Sequence, residues 1–185
     1  MTPRRQRRAL ATGGLTLVEL MVVLAILGVV LAVAMPSMRA LIERRRLEGM
    51  AQELVTDLRL IKAQQIQTRS VYGTAIGVSS NDDKTCYALF VQGSQVLFCD
   101  CALAAEQACG RTNPGGVPPD LIRQVDIPRS SGITLAASRS MLVMTNYNGL
   151  PRRGQTMRLT LTSSTAGQLV VSTNVTGLPS LCAAS

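Results

Sequence analysis

From Leu15 to Met35 the chain runs 21 residues with a single charged side chain, Glu19. At about 1.5 Å of rise per residue, a helix of that length reaches roughly 30 Å, the depth of a bilayer's hydrocarbon core. This segment limits the fold more than any other, because backbone in lipid must satisfy its own polar groups and is therefore helical. A carboxylate so early in such a span costs about 2.5–3.5 kcal/mol even on the lenient insertion scale. Some interaction has to offset that cost, which marks Glu19 as a functional residue. Upstream lie Arg4, Arg5, Arg7 and Arg8. Basic flanks stay on the cytoplasmic side, so these arginines set an N-in orientation and place everything after Pro36 outside the cytoplasm. A second cluster, Arg44 to Arg46, starts eight residues beyond Pro36 and weakens that bias without reversing it. It reads as a solvated or headgroup-touching helix face.

Two plainer readings compete. A secretory signal peptide has an apolar core of about 7–15 residues ending in small residues before its cut. This core is longer and its polar residues sit at the opposite end. An ordinary single-pass anchor accounts for the length and leaves Glu19 without a role.

The run Gly14-Leu15-Thr16-Leu17-Val18-Glu19, continuing through Leu20-Met21, Gly28 and Pro36, resembles the N-terminal signal of type IV pilins and pseudopilins. The resemblance implies cleavage by a prepilin peptidase between Gly14 and Leu15, and N-methylation at Leu15. It also makes Glu19 the fifth mature residue, the glutamate used in assembly. Leu15 departs from the phenylalanine commoner at that position.

Removing a leader of residues 1–14 takes away four arginines and leaves 15 basic and 11 acidic residues, a net charge of +4. That mild excess does not by itself point to nucleic acid. The domain organisation expected is leader 1–14, transmembrane helix 15–35, amphipathic helix 36–70 and a periplasmic β head over 71–185. About 150 residues outside the membrane suit one domain. The amphipathic helix rests on Leu47, Met50, Leu54, Leu58 and Ile61, spaced by three and four, with Glu48, Glu53, Asp57, Arg59 and Lys62 elsewhere on the wheel. Pro36 kinks this helix without necessarily ending it.

Further along, the period becomes two. Met157 to Thr162 and Leu169 to Thr173 alternate apolar and polar residues and predict an antiparallel hairpin with one buried face. Other predicted strands are Tyr72–Ser79, Tyr87–Gln92, Gln95–Cys99, Gly132–Ala136 and Met141–Asn146. Turn sequences separate them, Asn81-Asp82-Asp83 and Asn148-Gly149 among them. The fold class is α+β, a long N-terminal helix on an antiparallel β head. The order of elements is similar to the pseudopilin H and FimT group, which implies a two-sheet head.

Cys86, Cys99, Cys101, Cys109 and Cys182 all lie in the exported part, where an oxidising compartment favours disulfides. An odd number leaves at least one thiol free or intermolecular. Two bridges among five cysteines allow fifteen pairings, and spacing does not choose. A zinc site is disfavoured, since the chain has no histidine and no paired Cys-x-x-Cys units. Residues 100–120 read as a disulfide-held surface loop, serving either contacts or stapling alone.

Without histidine the usual nucleophile–base pairs cannot form, and no glycine-rich phosphate loop opens a helix. The reading is a structural protein, no enzyme, with no cofactor and no metal. The function expected is a minor pilin or pseudopilin in a type II secretion pseudopilus or type IV pilus. Its expected partners are other pilins, the prepilin peptidase, an inner-membrane assembly platform and the membrane. The alternative is a DNA receptor at a pilus tip. Some FimT-type proteins use a tail Gly-Arg-x-Arg, where this chain has Gly177-Leu178-Pro179-Ser180 and so lacks both arginines. Arg152, Arg153 and Arg158 form a second basic spot, more often merely solvated, and the five aromatic residues offer little stacking. Nucleic acid is therefore disfavoured as a partner, and a sensor or adhesin head remains a third reading.

Overall fold

The computed structural model describes residues 16–93, 98–103, 105–109, 120–145 and 148–183. The leader, Gly14 and Leu15 therefore lie outside the described residues. The chain divides into two units, Met1–Arg39 and Ala40–Ser185. Helix α1 spans Leu17–Thr68 and passes position 36 without interruption, ending two residues short of the expected boundary.

In the first unit the described apolar side chains from Leu17 to Leu31 are exposed, Leu17 at 74% and Val29 at 67%. Among the described residues, no core forms there. Among the described residues, no helix is long and apolar enough to cross a membrane. Side chains 33–37 fall outside the description, so the span from Leu15 to Met35 stands on the sequence.

The second unit holds the core. Leu47, Leu54, Leu58 and Ile61 are at most 1% exposed, with Ala51 and Val55 beside them and Met50 half-buried at the margin. Two antiparallel sheets meet this stripe. The first has the order β3-β2-β1-β5-β6, built from β1 (Thr74–Ser80), β2 (Lys84–Val91), β3 (Asp120–Pro128), β5 (Met141–Thr145) and β6 (Leu150–Pro151). The second has the order β4-β7-β8-β9, from β4 (Ile133–Ala137), β7 (Arg158–Ser163), β8 (Gly167–Thr173) and β9 (Pro179–Ala183). Ile76, Leu89, Leu142 and Met144 of the first sheet join Ile133, Leu135, Leu159, Leu161 and Val171 of the second in one core with α1. The predicted β7–β8 hairpin is present, with Leu159 opposite Val171 and Leu161 opposite Leu169.

Three strands go beyond the sequence reading: β3, β6 and β9. In β3 the alternation breaks because the register shifts between Leu89 and Phe90 of its partner, leaving Ile122 without a counterpart. The expected strand 95–99 is not supported: residues 94–97 lie outside the described residues, and Phe98 and Cys99 are irregular. Within the expected loop 100–120, a short helix α2 (Ala105–Ala108) forms, and residues 104 and 110–119 lie outside the described residues.

Strands β1 and β2 of the first sheet are buried on both faces. Ala75, Ala88, Phe90, Cys86 and Val143 point away from α1 into a second core with Cys99 and Cys101. A flap of residues 98–103 and 105–109 supplies that cover. Disulfides Cys86–Cys101 and Cys99–Cys109 pin it, while Phe98 packs edge-to-face on Phe90 at 6.4 Å. The flap lies so close that a Cβ on Gly77 would come 2.7 Å from the Phe98 ring and 3.3 Å from the Cys99 carbonyl oxygen. A glycine at 77 is what lets the flap dock there. Cys182 is free and exposed on β9, the edge strand of the second sheet.

Candidate functional site

Glu19 sits in the first turn of α1, exposed, in the N-terminal unit. The helix start is set locally. Thr16 Oγ1 accepts the backbone N–H of Glu19 at 3.2 Å, and the Thr16 carbonyl oxygen accepts the N–H of Leu20 at 3.2 Å. Thr16 is therefore the N-cap, and Thr16-x-x-Glu19 has the spacing of a capping box. A negative side chain in this first turn also complements the helix dipole. Sequence reasoning passed over Thr16, although a threonine three residues before a glutamate at the head of an apolar run is the signal for it.

In the head, a charged cluster ties α1 to the first sheet. Asp57 is 1% exposed, and its Oδ2 accepts the Tyr87 hydroxyl at 2.7 Å while its Oδ1 accepts Arg123 Nη1 at 3.0 Å. Arg123 Nη2 also donates to Glu53 Oε1. Burial, and then the hydrogen bond to Asp57, push the Tyr87 hydroxyl pKa far above its ordinary value. This corrects the wheel reading, which put Asp57 among the solvated positions. Residue 57 lies three after Leu54 and four before Ile61, so it falls on the buried stripe itself. A buried carboxylate needs partners, and β2 and β3 supply them. The pairing fixes where along the sheet the helix can sit.

The basic residues fall in separate places. Arg44 and Arg45 are exposed and both pair with Glu48 on their own helix. Arg152 and Arg153 lie exposed in a 3-10 turn after β6, Arg153 with φ 54° in the left-handed region. Arg158 opens β7, exposed on the side of the second sheet away from the core. The tail segment from Gly177 to Ser180 forms the turn into β9. Gly177 has φ 74° and is packed against Met144 and Pro151. Asn174 Oδ1 holds that turn by accepting the N–H groups of Thr176 and Leu178.

Residues 11–35 match the prokaryotic N-terminal methylation motif. No curated protein matches the chain. Among solved structures, the type IV minor pilin FimU of Pseudomonas aeruginosa (strain PAO1) superposes with a TM-score of 0.50 at 18% identity, over 76% of this chain and 90% of that one. At that identity the likeness speaks for the fold. The motif marks the N-terminal segment, and the fold is like that of a type IV minor pilin.

Proposed function

We propose that this chain is a minor pilin or pseudopilin, a structural subunit of a type II secretion pseudopilus or a type IV pilus, of the pseudopilin H and FimT kind. The observation that carries the reading is the conjunction of a methylation motif over residues 11–35 with a pilin-like head following on the same helix. Either feature alone fits a simple membrane anchor or an unrelated exported domain.

On this reading the prepilin peptidase cuts between Gly14 and Leu15 and methylates Leu15. The mature subunit waits in the inner membrane as a single span, N-terminus cytoplasmic and head periplasmic. An assembly platform then inserts it among other pilins. Glu19 pairs with the terminal ammonium of a neighbouring subunit inside a bundle of apolar helices, where low dielectric strengthens the attraction. Slippage by a turn would strand both charges, so the pair sets axial register. The head surface chooses which neighbours or cargo are met.

The test is Glu19→Ala in the full chain. Membrane insertion should persist or improve, since a charge leaves the apolar run. Cleavage should persist too, because the cut depends on Gly14. Crosslinking to partner pilins in the membrane should fall sharply, reflecting a stranded ammonium at about 3–5 kcal/mol. Equal crosslinking in both proteins would return the lead to the plain anchor.

A further inference from the structure

The charges of the head are unevenly distributed. From Ile127 to Ser185 the sequence holds five arginines, Arg129, Arg139, Arg152, Arg153 and Arg158, and not one aspartate or glutamate. Arg129 is committed, its guanidinium donating twice to the Asn81 carbonyl oxygen at 2.9 and 3.1 Å. Among the described residues the other four meet no carboxylate. All four are exposed.

Arg158 stands beside a pocket of about 400 Å³ lined by Ser138, Thr156, Met157, Arg158, Ser172 and Thr173. Its walls are set by the β-sheet. Arg158 lies opposite Ser172, and Ser172 opposite Ser180, so the strands carry a transverse row of polar side chains. Ser138 joins the row from the end of β4. Its Oγ accepts the Arg158 N–H at 2.9 Å, and its own N–H donates to the Arg158 carbonyl oxygen at 2.8 Å. Thr173 is spent internally, its Oγ1 accepting the Met157 N–H at 2.8 Å. The Ser138 hydroxyl proton, the Thr156 hydroxyl and the Arg158 guanidinium are left to donate outward.

A recess with several donors and a guanidinium, and without any carboxylate on its wall, fits an anion that accepts from more than one direction. A planar fork such as arginine pairs two oxygens at once, and flanking hydroxyls reach a third. That is the pattern of a tetrahedral oxyanion rather than a carboxylate. No aromatic ring lines the pocket, so recognition would rest on charge and hydrogen bonds, not stacking. Arg158 is the one arginine among the lining residues, so it carries the positive charge of the site. We infer that the pocket at the start of β7 is a binding site for a phosphate group, held by Arg158 with Ser138 and Thr156, and that the head uses it to engage a phosphate-bearing ligand. This goes beyond the structural role proposed above and does not depend on it.

The experiment takes the full chain in micelles of an uncharged glycoside detergent, with arginine labelled by nitrogen-15, and follows the guanidinium resonances by NMR. Inorganic phosphate should shift the Arg158 resonance along a saturating curve. Acetate, with two oxygens against the four of phosphate, should bind at least about tenfold more weakly, a difference of about 1.4 kcal/mol. Dimethyl phosphate separates the sources: saturation by it as well indicates a phosphodiester ligand, and saturation by inorganic phosphate alone indicates a free or terminal phosphate. Arg158→Gln should abolish the saturable response of the remaining arginines, and Thr156→Val should weaken it several-fold, both with unchanged melting temperature. Arg44→Gln should leave it intact. A linear drift of all arginines alike, equal saturation by acetate, or full binding retained in Arg158→Gln would each overturn the assignment.

Discussion

The two sheets of the head use the same pairing geometry and differ in what lies on their outer faces. In the first, β1 and β2 are buried on both sides, by α1 on one and by the disulfide-pinned flap on the other. In the second, only the inner face is covered. The outer row of Thr134, Thr160, Thr162, Val170 and Ser172 stays half-buried, and Arg158, Ser180 and Cys182 are exposed. The first sheet therefore draws stability from two apolar cores, while the second leaves a hydroxylated, arginine-edged face open. What the chain invests in stability and what it leaves for contact are separated by sheet.

The largest effect should come from the doubly buried strand. Phe90 is fully buried and touches Phe98 of the flap. Phe90→Ala should cost about 3–5 kcal/mol in chemical denaturation, as large-to-small aromatic changes in a core do. A loss below about 1 kcal/mol would mean that the flap is not a true second layer.

Next comes the staple. Replacing Cys99 and Cys109 together by serine frees a loop of ten residues and should cost about 2–3 kcal/mol, on the chain-entropy account. The distribution of the damage is the sharper measurement. Amide exchange should speed up in β1 and β2 and stay slow in β7 and β8. Equal acceleration in both sheets would break the comparison.

A smaller effect concerns the bond between the first sheet and α1. Tyr87→Phe leaves the buried Asp57 short of one donor and should cost about 1–2 kcal/mol near neutral pH. The hydroxyl's pKa is raised on folding, so its contribution is fully present below the unfolded value of about 10 and is lost as pH climbs above that. Stability of the wild type should fall faster than that of Tyr87→Phe across the alkaline range, narrowing the gap between them. A constant gap would show that Tyr87 does not titrate against the fold.

The same difference between sheets explains what could be read from sequence. The β7–β8 hairpin was legible because one buried face writes a period of two, as in Arg158-Leu159-Thr160-Leu161-Thr162. Strand β2 loses that alternation, Thr85 to Phe90 being buried throughout, so its extent blurred by three residues at its start. Strand β3 was hidden by its bulge, and β9 by a proline at its first position and its closeness to the chain end. The flap left no periodic trace because it is held by sulfur and by the space over Gly77, neither of which has a sequence period. At the N-terminus the motif around Glu19 is plain, whereas the Thr16 cap is masked because a lone threonine inside an apolar run does not interrupt the hydrophobic pattern. The Asp57 cluster was missed since a charged residue on a wheel is assigned to solvent by default.

The smallest effect is expected on the open face. Thr160 lies on the outer side of β7, opposite Ala136 on one neighbour and Val170 on the other. Thr160→Val keeps the β-branched shape that suits a pleated surface and removes one hydroxyl that, among the described residues, takes part in no hydrogen bond. Stability should therefore change by no more than about 0.5 kcal/mol in either direction. The same substitution at Thr85, buried in β2 with its Oγ1 accepting the Leu135 N–H at 3.2 Å, should cost about 1–3 kcal/mol by orphaning that donor. The pair of measurements is the cleanest contrast between the sheets, because chemistry and strand propensity are held equal and only the surroundings differ. If Thr160→Val proves as damaging as Thr85→Val, the outer face of the second sheet is covered in solution, and the division between a stapled sheet and an open one fails.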